Sequence, residues 1–274
     1  NKIVNARVKE IYKRTILLFP LLQNEETGGV AASAEVDEQR QKSGRYAYCW
    51  PRDAVFITKA FDYLNMTKES DKFYEIFCKK TQSKNGMWEQ RFYTDGTLAP
   101  CWGYQIDETA SVIYGMNEHY KATKDIKFLT QNLKMCENAL HFLFKYLEYI
   151  FDEKEEKELV KREIQDKIKE TGKEKDKIYK HVSYDLWEMN EGVHLYSLSS
   201  IYAAFNAMNE IYNVVKDKYQ NNRLKIEQIE KNIAKMELEK DNIKKYILDN
   251  MYDEESKILY RNTKDKKMDV SIIG

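Results

Sequence analysis

Tyr46-Ala47-Tyr48-Cys49-Trp50-Pro51-Arg52-Asp53 is the stretch from which the fold is read. Up to Trp50 it is aromatic and has no helical period. A proline then stands where a helix would open, a position that needs no N–H partner. Val55, Phe56, Ala60, Phe61 and Leu64 follow at helical spacing. The same passage from aromatic loop to helix recurs at Trp102-Gly103-Tyr104-Gln105-Ile106-Asp107-Glu108. It recurs again at Tyr184-Asp185-Leu186-Trp187-Glu188.

Outward from these junctions almost everything reads as helix, which 3 Pro and 10 Gly in 274 residues allow. Val8, Ile11, Tyr12, Thr15, Leu18, Phe19 and Leu22 place an amphipathic helix over 3–22, with Pro20 kinking or ending it. Further helices are expected at about 69–81, 109–123, 126–151 and 195–215. The segment 88–101 reads instead as a hairpin or long loop with a turn at Asp95-Gly96. Two segments differ in character. Residues 152–182 are mostly Asp, Glu, Lys and Arg with a narrow stripe of Val160, Ile164 and Ile168. In 216–250, Ile226, Ile229, Ile233, Met236, Ile243 and Ile247 form a seam in which Lys240 breaks one slot. Both are expected as long charged helices projecting from the body, within one domain over 1–274. Packing is the first purpose of the seam; self-association through the charged helices is the alternative. At the end, Asp269 reads as the N-cap of an apolar helix just starting at Val270-Ser271-Ile272-Ile273. The expectation is therefore an all-α, incomplete domain: an array of helical hairpins, open or closed into a ring, with long loops at alternate junctions.

Composition narrows the function. There are 45 basic against 45 acidic residues, so the basic excess of a nucleic-acid binder is missing. No apolar run has the length of a membrane span. Cys49, Cys78, Cys101 and Cys136 show neither a C-x-x-C pair nor a zinc spacing, so no metal and no cofactor is expected. They read as reduced thiols of a cytoplasmic protein. Because the chain begins at Asn1 rather than Met, an extracellular form stays open.

The aromatic loops carry the chemistry. Aromatic faces stack on the C–H patches of sugar rings, and charged groups fork hydrogen bonds to hydroxyls, so Trp with Asp, Glu and Arg suits a pyranose. A structural reading stands beside it: Arg52-Asp53 as a helix-terminal ion pair, and Asp107-Glu108 as complements to a helix dipole.

The motif set as a whole resembles glycoside hydrolase family 15. Gly29-Val30-Ala31-Ala32-Ser33-Ala34, then Tyr46 to Asp53, is similar to its opening signature. Gln90-Arg91-Phe92-Tyr93-Thr94-Asp95-Gly96, Gln105-Ile106-Asp107-Glu108-Thr109 and Asp185-Leu186-Trp187-Glu188, with Gly192, His194 and Ser197, follow in family order. The resemblance implies a partial (α/α)6 barrel, the glucoamylase-like toroid, with long charged helical insertions. It implies an inverting exo-hydrolase that releases glucose from the nonreducing ends of α-glucans or short α-glucooligosaccharides. Glu188 would be the general acid. Arg52 and Asp53 would hold hydroxyls of the terminal glucose, Tyr48 and Trp50 would line the pocket, and Trp102 would flank the sugar. Asp107, Glu108, Asp185 and Trp187 complete the expected substrate-binding set. Two departures stand out. Met189 occupies a position where the family commonly has a second Glu, and no segment before Gly274 matches the one that carries the general base. The alternative is a non-catalytic carbohydrate-binding or regulatory protein on the same scaffold.

Overall fold

A computed structural model describes residues 5–35, 46–101, 103–151 and 183–273. Helix α1 spans Ala6–Leu21 and α2 Pro51–Tyr63. Helix α3 begins at Thr67–Lys72 and continues to Thr81 through a π-helical stretch at Phe73–Cys78. Helices α4 (Ile106–Thr123), α5 (Ile126–Phe151), α6 (Leu195–Val215) and α7 (Arg223–Met251) follow. Among the described residues, strands are confined to two short antiparallel pairs. Ser183–Tyr184 (β1) pairs with Glu191–Gly192 (β2), and Tyr252–Asp253 (β3) with Ile258–Leu259 (β4). The expected charged segment 152–182 lies outside the described residues.

Helix α4 is the hub, packed against α2, α5 and α6. It is buried nearly all round, including Asp107, Glu108, Ser111, Asn117 and His119, as an inner-layer helix must be. Gly115 makes the approach to α2 close enough: a Cβ there would stand 2.4 Å from the Tyr74 hydroxyl and 2.7 Å from Val55. Helix α5 instead buries one stripe, through Leu129, Leu133, Cys136, Leu140, Leu143 and Leu147, in the manner of an outer helix.

Two expectations are corrected. The 216–250 segment does not project. After a 3-10 turn at Lys216–Tyr219 it forms α7, which lies along α6 with Ile229, Met236 and Ile243 in the common core. The seam is spent inside the chain. Lys240 fills its slot by burying its stem while Nζ reaches Asn206 Oδ1 at 3.0 Å and Glu237 at 2.8 Å. Helix α1 lies within the expected 3–22 span but buries no residue fully. Val8, Ile11, Leu17, Leu18 and Leu21 are exposed, and its hold on the body is through Phe19, edge-on to Phe61, and Leu22.

Candidate active site

The N-terminus of α2 organises the site. Tyr46 and Tyr48 accept backbone hydrogen bonds from Ser33 and Ala32, and Cys49 pairs with Phe92 in both directions. The chain therefore enters α2 extended and fixed. Trp50, in the N-cap position, offers no capping oxygen. The orphan N–H of Arg52 donates instead to Glu108 Oε2 at 2.6 Å. Glu108 thus caps α2 from the first turn of α4, a role the α4 dipole alone does not suggest.

Arg52 sits between buried and solvent-facing acids. Its Nη1 meets Asp107 Oδ2 at 2.5 Å and Glu108 Oε1 at 3.0 Å, both side chains fully buried, while Nη2 meets the half-exposed Asp53 at 3.1 Å. The Nη1–Glu108 approach is an ion pair without hydrogen-bond alignment, since Oε1 has no hydrogen-bond partner. Burial alone would lower the Arg52 pKa; Glu108, Asp107 and Asp53 together hold it well above its ordinary value. Burial drives Glu108 the other way from an ordinary carboxylate, well upward, with Arg52 opposing.

Glu188 lies in the turn between β1 and β2. Asp185 builds that turn: its Oδ1 accepts from the Met189 and Asn190 N–H groups at 2.8 and 3.2 Å, and its Oδ2 from Asn190 Nδ2 at 2.7 Å. The Asp185 carbonyl accepts from the Glu188 N–H and from Gln105 Nε2. The turn holds Glu188 at φ 60°, a left-handed conformation that costs a non-glycine residue roughly 1–2 kcal/mol. His194, kept neutral by burial, donates from Nε2 to the Ser183 carbonyl beneath the hairpin. Glu188 Oε1 accepts the Trp50 indole N–H at 2.7 Å, which joins the first and third aromatic loops.

A cavity of about 290 Å³ opens here, lined by Ala32, Tyr46, Trp50, Arg52, Asp53, Leu186, Trp187 and Glu188. It is at the small end of the ~300–1,000 Å³ common for ligand pockets. The Trp187 ring is half-exposed on the wall, with its Nε1 donating to Asp269 Oδ1 at 2.9 Å. Of the residues expected at the site, Trp50, Arg52, Asp53, Trp187 and Glu188 line this cavity. Tyr48, Asp107, Glu108 and Asp185 are buried around it rather than in its lining. Trp102 lies outside the described residues.

Two side chains at or beside the cavity were outside the expected set. Tyr46 lines the cavity, tilted against Trp50. Arg91, buried, stacks over the Tyr48 ring at 4.8 Å and the Trp50 ring at 5.4 Å, and its Nη1 stands 3.9 Å from Glu188 Oε2. Both stand in quoted motif blocks; periodicity carries no signal for either, because neither is on a helix. All four cysteines are free thiols, and no group of His, Cys, Asp and Glu among the described residues could hold a metal ion. None of the described helices is long and apolar enough to cross a membrane.

An inner helix wrapped by others, with aromatic loops closing a carboxylate-bearing pocket, defines a glycoside-hydrolase helical barrel. The family model for glycosyl hydrolases family 15 matches residues 6–273, and the chain belongs to that family. An uncharacterized glycosyl hydrolase of Methanocaldococcus jannaschii is 26% identical over 270 residues, covering 98% of this chain and 36% of the relative. This chain therefore spans about a third of that relative's length. Among solved structures, a bacterial glucoamylase complexed with acarbose superposes with a TM-score of 0.59 at 17% identity, covering 93% of this chain and 32% of that one. A glucoamylase from Saccharomycopsis fibuligera gives 0.61 at 13%, covering 95% and 53%. These likenesses establish the glucoamylase barrel fold.

Proposed function

We propose that this chain carries the sugar pocket and the general acid of a glucoamylase-like exo-hydrolase, releasing glucose from nonreducing ends of α-glucans or short α-glucooligosaccharides with inversion. The observation that carries the reading is Glu188. Its carboxyl shares a small cavity with the Arg52–Asp53 pair, and an indole N–H fixes one of its oxygens. A cavity this size suits one sugar ring, which favours attack at a chain end. Arg52 and Asp53 are placed to bind hydroxyls, Tyr46 and Trp187 to pack on the ring, and Glu188 to protonate the glycosidic oxygen as the C–O bond breaks. An inverting reaction also needs a carboxylate about 6.5–9.5 Å from the acid to activate water. The motif blocks quoted for this chain name no residue for that role.

The test is turnover of maltooligosaccharides by the full protein and by its Glu188→Gln variant, with the anomer released followed by NMR. Glu188→Gln is expected to lose about 10²–10⁴-fold in kcat with KM little changed, and the wild type to release β-glucose. Undiminished turnover by the variant, or α-glucose as first product, would overturn the reading. The exposed Met189, where the family commonly has Glu, favours the second reading, a carbohydrate-binding protein without turnover. Sugar binding with no hydrolysis by the full protein would decide for it.

A further inference from the structure

Arg91 is a cation buried beside the pocket without lining it. Its placement is built. The Nε donates to the Pro100 carbonyl at 2.8 Å, and the guanidinium plane is packed by the Tyr48 and Trp50 rings. Trp50 is the residue whose indole N–H holds Glu188 Oε1, and the Arg91 Nη1 faces the other oxygen, Oε2, at 3.9 Å. One aromatic side chain therefore ties the cation and the carboxyl together, and each carboxyl oxygen has its own donor-bearing neighbour.

We propose that Arg91 is a positioning residue for Glu188: with Trp50 it fixes the orientation of the carboxyl and balances the charge left when the proton has gone. The inference rests on Glu188 being the general acid. Proton transfer from Glu188 to the glycosidic oxygen, as the bond to the anomeric carbon breaks toward that oxygen, leaves a neutral alcohol on the departing sugar and a carboxylate on the protein. That carboxylate forms in a half-buried place where water screens poorly, so a fixed cation within about 4–6 Å stabilises it.

Among the described residues, other charged or titratable groups near Glu188 are Tyr46, Arg52 and Asp53 in the same cavity lining, Asp185 in its own turn, and the Cys101 thiol, on which Glu89 and Glu188 both act. Cys101 Sγ points to the Arg91 and Ala99 carbonyls, and burial keeps its thiol protonated. Arg91 is the group whose guanidinium stands opposite Oε2.

The test compares Arg91→Met and Arg91→Lys with wild type in the full protein. In Arg91→Met the alkaline limb of the kcat profile is expected to move upward by about one pH unit or more. At the plateau kcat should fall by roughly ten- to a hundredfold through lost alignment, with KM within about twofold. Arg91→Lys should keep the limb and recover part of kcat. Independently of turnover, the ¹³C resonance of the Glu188 carboxyl, assigned by its loss in Glu188→Gln, should titrate at higher pH in Arg91→Met and not in Arg91→Lys. A titration midpoint common to wild type and Arg91→Met would overturn the proposal. Retained activity in Glu188→Gln would instead overturn the acid assignment.

Discussion

Replacing Arg52 with Ala tests how the site is bonded to the fold. The guanidinium is about one-tenth exposed, and behind it Asp107 and Glu108 are fully buried. Its removal leaves two buried acids without a counter-ion and one, Glu108, still bonded to the residue-52 N–H. Removing one partner of a buried ion pair typically costs about 3–5 kcal/mol. Whole domains are stable by only about 5–15 kcal/mol, so Arg52→Ala should be a folding lesion before it is a binding lesion. The assay is urea denaturation of wild type, Arg52→Ala, and the triple variant Arg52→Ala/Asp107→Asn/Glu108→Gln. The triple should recover much of the loss, because shape-conserving amides carry no charge to desolvate. The pH dependence has a definite sign. Burial already raises the folded pKa of Glu108 and Arg52 opposes that rise, so without Arg52 it moves further above its unfolded value. Stability is then fully present below the unfolded carboxylate range and is lost as pH rises through the folded Glu108 value. The deficit of Arg52→Ala should therefore shrink on acidification. A deficit under 1 kcal/mol at neutral pH, or a triple variant no more stable than the single, would refute the reasoning.

Trp50→Phe removes the indole N–H from Glu188 Oε1; a hydrogen bond to a charged group is worth about 1.5–3 kcal/mol, so kcat should fall by roughly ten- to a hundredfold while KM moves little. Asp185→Ala strips the turn of its acceptor for two backbone N–H groups and the Asn190 amide, which should cost about 1–3 kcal/mol in calorimetry and lower kcat more than sugar affinity. His119 is gripped by both oxygens of Asp62 through Nδ1 and by Asp71 through Nε2. Burial opposes its protonation, but Asp62 and Asp71 raise its pKa above the ordinary 6.5; burial also pushes the Asp71 carboxyl upward. Its contribution is thus fully present below pH 6.5 and lost as pH rises through the folded value, and His119→Asn should flatten that slope in urea midpoints measured against pH.

Helix positions were legible where one face decides burial. The limits of α5 and α6 follow the expected spans, and Pro51 opens α2 as its place in the sequence indicates. Legibility failed where the chain's period says nothing about what covers a face. The α1 stripe has the pattern of a buried helix and is largely exposed, while the charged α7 carries a seam narrow enough to read as a surface feature and is packed on α6. At the site, the residue types were readable, as was the loop-to-helix placement of Arg52, Asp53, Asp107 and Glu108; Glu188 stands instead in the hairpin turn between β1 and β2. The division between pocket wall and supporting layer was not, because Asp107, Glu108 and Asp185 are acids like Asp53 and Glu188. Arg91 escaped for a related reason: its partners lie on segments far apart in sequence, joined only by folding.

That division governs what substitutions here report. Asp53 and Glu188 line the cavity, so their loss can act on sugar without first acting on the fold. Asp107 and Glu108 hold Arg52 and cap α2 from the hub helix α4, and Asp185 shapes the turn that presents Glu188. The helix that forms the centre of the core therefore also supplies the counter-ions of Arg52 beneath the cavity, so burial of α4 and preorganisation of Arg52 are one event. A partly unfolded α4 would release Glu108 from the Arg52 N–H and Asp107 from the guanidinium together, leaving Arg52 without the fixed acids that aim it at the cavity. Loss of sugar binding and loss of the α4 core should accordingly coincide along a denaturant titration followed by ligand affinity and by hydrogen exchange at α4. A pocket that lost affinity well before α4 amides became exchangeable would show that the charged layer and the core melt separately.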